Sequence, residues 1–72
     1  MSLKGINLHE DYVIITKNEN ELQENTGIVV KSNCNIPENS IVYFTGTPFE
    51  FFIIDKTYKI IHKNSILIWR KQ

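Results

Sequence analysis

The chain has 72 residues, eight basic against eight acidic side chains, a formal net charge of zero and one cysteine. That length allows one domain, and a domain this small needs a staple: a metal, disulfides, very good packing or partner subunits. Cys34 has no cysteine to pair with inside the chain, which excludes an intrachain disulfide and suits a reducing compartment such as the cytoplasm.

Apolar residues fall in short runs rich in Ile, Val, Phe and Tyr, which are strand formers. "DYVIIT" (11–16) is the first run and "TGIVVKS" (26–32) the second. Between them "KNENELQEN" (17–25) reads as an exposed loop rather than a helical turn, because it offers only Leu22 for burial. "NCNIPEN" (33–39) is a polar break with a turn at Pro37, and "NSIVYFT" (39–45) is the third run. After "TGTP" (45–48), "FEFFII" (49–54) and "TYKIIH" (57–62) flank Asp55-Lys56, which reads as a hairpin turn. "SILIWR" (65–70) is the last run.

Six short strands joined by turns predict an all-β chain forming one small, partly open β-barrel over 1–72. In the first run Val13 and Ile15 share one face while Tyr12 and Ile14 share the other. Both faces are apolar, whereas a strand with one wet face alternates apolar with polar. One face therefore meets the barrel core, and the other a second layer or a neighbouring subunit.

Chemistry-bearing patterns are sparse. His9 and His62 lie far apart and no metal-ligand spacing occurs, so no metal or cofactor is expected. Glu10 and Asp11 are adjacent and point different ways on a strand, which is poor geometry for acid/base work, and no catalytic residue is assigned. Lysines are scattered rather than massed, so the footprint of a nucleic-acid binder is missing. Apolar runs such as Phe51 to Ile54 are far too short for a membrane span, and "MSLKGIN" lacks the apolar core of a signal peptide.

The blocks "NLHEDYVIITK", "IPENSIVYF" and "EFFIIDKTYKIIHKNSILIW" resemble, in order and spacing, the co-chaperonin family, the GroES-like lid subunits of chaperonin cages. Each block alone is merely strand-like, and their succession is what carries the likeness. The resemblance implies a GroES-like barrel that assembles into a seven-membered ring and caps a chaperonin ring to assist protein folding. Family members are longer, and the missing part lies between Lys17 and Ile36, so the roof hairpin is expected to be absent. Two alignments compete there. In one, Gly27, Ile28, Val29 and Val30 form the tip of a mobile loop that docks in the chaperonin. In the other they form a barrel strand, the loop is the acidic "NENELQEN" with Leu22 as its only apolar anchor, and the strand is preferred because removing it would expose two rows of unpaired backbone groups.

The resemblance also implies a subunit interface: Ile6 and Leu8 of one copy against Ile66, Leu67, Ile68 and Trp69 of the next. Independently of any family, a terminal strand with two apolar faces and an exposed edge is a template for strand addition. Two other readings stand beside the lid. One is a reduced oligomeric barrel, of phage type, that does not dock a chaperonin. The other is an OB- or Sm-like barrel in which Tyr43, Phe49, Phe51, Phe52 and Tyr58 stack bases near Lys56, Lys59 and Lys63. Net neutrality and Glu50 among those rings weigh against the last.

Overall fold

The computed structural model of the protein describes residues 5–19 and 23–72. They fold into six strands: β1 (Tyr12–Lys17), β2 (Thr26–Ser32), β3 (Ser40–Phe44), β4 (Phe49–Ile53), β5 (Lys56–His62) and β6 (Ile66–Lys71). One 3₁₀ turn, Lys63–Ser65, separates β5 from β6. Leu22 lies outside the described residues. Among the described residues no helix is long and apolar enough to cross a membrane.

The strands form one antiparallel sheet in the order β4-β5-β1-β2-β3-β6. A flat sheet of six strands would be a slab about 24 Å wide and about 10 Å through. The chain instead measures 28 × 25 × 23 Å, so the sheet is rolled. It is not closed: β4 and β6 remain its two free edges. The architecture is thus a small, partly open barrel.

Two bulges help the sheet to curl. Ile14 pairs with Lys31 while Ile15 pairs with Val29, so Val30 is an extra residue in β2. Tyr43 pairs with Ile68 while Phe44 pairs with Ile66, so Leu67 is extra in β6. A bulge bends its strand and sharpens the local twist.

The concave face holds the core. Val13, Ile15, Val29, Val42, Phe44 and Ile61 pack together, joined by Ile36 from the β2–β3 connection and edged by Cys34 and Ile66. The convex face is apolar too, and Ile14, Ile41 and Tyr58 are buried there. The chain's own N-terminal segment runs along its rim. Asn7, Leu8, His9 and Glu10 share a shallow outer depression with Tyr12, Phe49 and Ile60. Asn33 Nδ2 donates to the Leu8 carbonyl at 2.6 Å, and Asn33 also exchanges backbone hydrogen bonds with Asp11 and Tyr12. The segment before β1 thus runs beside the outer side of β1, tied to it through Asn33.

The hairpin turn lies one residue earlier than the sequence suggests. Ile53 pairs with Lys56, which leaves Ile54 and Asp55 as the loop. Ile54 takes φ 59° and Asp55 stays negative, the pattern of a type II′ turn. Such turns want Gly at their first central position, and a β-branched residue at positive φ is strained. Ile54 is also 92% exposed, so burial returns nothing for that strain. Ile54→Gly is expected to stabilise the fold by about 1 kcal/mol. At fixed protein concentration that is a rise in Tm of roughly 4–8 °C, read by circular dichroism.

Candidate assembly surface

The residues singled out for docking and for assembly sit in different settings. Gly27, Ile28, Val29 and Val30 belong to β2, a central strand. Gly27 and Ile28 pair with Lys17 and Thr16 on one side and with Val42 and Ile41 on the other. Thr26 Oγ1, at the head of the strand, donates to the Val42 carbonyl at 2.9 Å in a buried site. Val29 is fully buried. Of the two alignments, the fold holds the strand.

Gly27 has a packing reason for being glycine. A Cβ built there would stand 2.7 Å from Ile15 Cδ1 and 2.8 Å from the Thr16 carbonyl oxygen. The latter is backbone and cannot swing aside. The glycine lets β1 and β2 approach closely, a role distinct from loop freedom.

Ile6 and Leu8 are half-buried in the irregular segment before β1 and belong to no strand. Ile66, Leu67, Ile68 and Trp69 do lie together, on the free edge of the sheet. Pairing with β3 places Trp69 opposite Val42 on the concave face and Ile68 opposite Tyr43 on the convex face. Only one side of β6 has a neighbour, and its side chains show it: Leu67 is 64% exposed, Ile68 60% and Trp69 41%. Beside the strand is an open depression bordered by Cys34, Ile36 and Ile66. Soluble proteins manage free edges by shortening, bulging or charging them. Here the bulge at Leu67 and the cations Arg70 and Lys71 stand at either end of an uncovered Leu-Ile-Trp run.

The opposite edge, β4, is a second lip of the same kind. Phe52 faces the concave side, paired with Thr57, and is 70% exposed. Phe49 faces the convex side, paired with Ile60, and is exposed. Phe51 stacks on its cross-strand partner Tyr58 at 5.5 Å between ring centroids. Of the aromatics proposed as base-stacking platforms, Phe49 and Phe52 alone present mostly free rings. They point to opposite faces, and Glu50 shares the concave face with Phe52.

The polar residues have structural employment. Asp11, at φ 69°, accepts the Lys63 backbone N–H and pairs with the Lys63 ammonium at 3.3 Å. Both side chains are near half-exposed, so that pair is worth less than about 1 kcal/mol. His62 Nδ1 accepts from the Asn64 backbone N–H, capping the 3₁₀ turn, while its ring meets Tyr12 edge-on at 5.0 Å. Cys34 is half-buried within reach of the Ser32 hydroxyl. Among the described residues no three His, Cys, Asp or Glu side chains gather as metal ligands do.

No protein-family model, curated protein or solved structure matches the chain.

Gly27→Ala is expected to destabilise the fold by about 1–3 kcal/mol, the range for inserting volume into a tight contact. Urea denaturation of the purified variant measures it. An unchanged midpoint would show that β1 and β2 do not approach as described.

Proposed function

We propose that the protein is a self-assembling barrel subunit of the co-chaperonin type, reduced to the ring-forming part. The observation that supports this reading is β6: a free edge strand carrying exposed Leu67, Ile68 and Trp69 at the lip of an unclosed barrel. Unsatisfied backbone groups and apolar side chains on one strand are what strand addition uses. A copy of the same chain is the partner always present at matching concentration.

The fuller form of this reading is a lid that caps a chaperonin ring. It is favoured by the order of the three blocks that resemble co-chaperonins. Docking through Gly27 to Val30 would require β2 to leave both β1 and β3, which costs its backbone pairing and exposes Val29. For that reason the assembling barrel stands as the proposal and chaperonin capping as its extension.

Native mass spectrometry at micromolar concentration is the test, alone and after mixing with a chaperonin ring and nucleotide. A multi-subunit species is expected alone, and a complex with the chaperonin would add the capping role. Monomers throughout would overturn the proposal. Trp69→Glu buries a charge in the proposed contact and is expected to shift the population toward monomer. Unchanged mass in that variant would remove β6 from the interface.

A further inference from the structure

The two free edges of the sheet match each other, and we propose that β4 of one copy pairs antiparallel with β6 of the next. This rests on the self-assembly reading and names the strand that covers β6.

The argument runs from face and charge. Continuing the sheet across the junction requires concave residues to meet concave residues. On β4 the concave set includes Glu50 and Phe52, opposite Lys59 and Thr57. On β6 it includes Trp69 and Lys71, opposite Val42 and Ser40. An antiparallel register that sets Glu50 against Lys71 sets Phe52 against Trp69. On the convex face it brings Ile53 against Ile68. A carboxylate meets an ammonium, an aromatic ring meets an aromatic ring, and an aliphatic side chain meets an aliphatic one. These are the cross-strand pairs that stabilise sheets. The exposed Phe52 and Trp69 rings would close over the open end of the concave core.

Other pairings fit worse. An antiparallel pair of two β6 strands centred on Trp69 keeps the faces matched but puts Arg70 against Ile68 and Lys71 against Leu67. A pair of two β4 strands sets Glu50 against Phe52 or against its own copy. Parallel pairing of β4 with β6 that brings Asp55 to Lys71 sets Glu50 against Ile66. Each sets a charge against an aliphatic side chain or a carboxylate against an aromatic ring or another carboxylate, whereas the proposed register sets only a cation, Arg70, against an aromatic ring, Phe51. A β4–β6 contact repeated head to tail uses two different surfaces, so it closes into a ring when its rotation allows.

Single cysteines test the register in a Cys34→Ser background. Glu50→Cys and Lys71→Cys variants are purified separately, then mixed at micromolar concentration under mild oxidation. A covalent dimer is expected in the mixture and not in either variant alone. A Lys71→Cys homodimer of equal yield would instead indicate that two β6 strands meet near their C-terminal ends. A compact disulfide-linked monomer in the chain carrying both substitutions would indicate barrel closure within one molecule. Either result, or no cross-link in a mixture that still assembles, overturns the inference and leaves the self-assembly reading intact. A monomeric parent protein would remove both. Charge reversal is the second measurement. Glu50→Lys and Lys71→Glu should each weaken association roughly tenfold in sedimentation equilibrium, and the double reversal should recover it. Failure of the double reversal to recover association rejects the proposed register.

Discussion

Backbone pairing in a sheet that does not close is the constraint from which most of this molecule follows. A strand inside a sheet satisfies its N–H and C=O groups on both sides, and a strand at the edge satisfies half of them. A closed barrel has no such edges. The order β4-β5-β1-β2-β3-β6 leaves two. Curling brings the concave side chains into a core, yet the lips of the roll still carry Phe52 and Trp69 with open surface. Small size sharpens the problem, because few residues are left over to cover a lip.

The convex face is apolar as well. Ile14 is as buried as Val13, although the two point in opposite directions. Leu8 and its neighbours border, with Tyr12, Phe49 and Ile60, a depression on the outer side of β1, β5 and β4, and the Asn33 side chain holds the Leu8 carbonyl.

The strands were legible because β-branched and aromatic residues cluster in them, and each run falls within a residue or so of an observed strand. The Asp55-Lys56 turn was misplaced because turn chemistry points to Asp, while the observed loop puts a strained Ile54 at positive φ. Nothing local announces that choice. The role of Gly27 was equally hidden, since its reason is the distance to Ile15 and Thr16 on another strand. Strand order is likewise a property of distant pairs: β1 sits between β2 and β5, and the sequence does not say so. The apolar edge at Leu67 to Trp69 could be read in advance, because an Ile-Leu-Ile-Trp run leaves no polar face.

The placement of β1 sets the timetable of folding. Its partner β5 lies more than forty residues downstream, as Val13↔Ile61 shows. Contacts so far apart along the chain form slowly, because a long loop must close before they are rewarded. During synthesis the central strand waits with one flank unoccupied until nearly the whole hairpin of β4 and β5 has left the ribosome. β6 emerges later still, so its exposed apolar edge is presented only once the strand it leans on, β3, already exists.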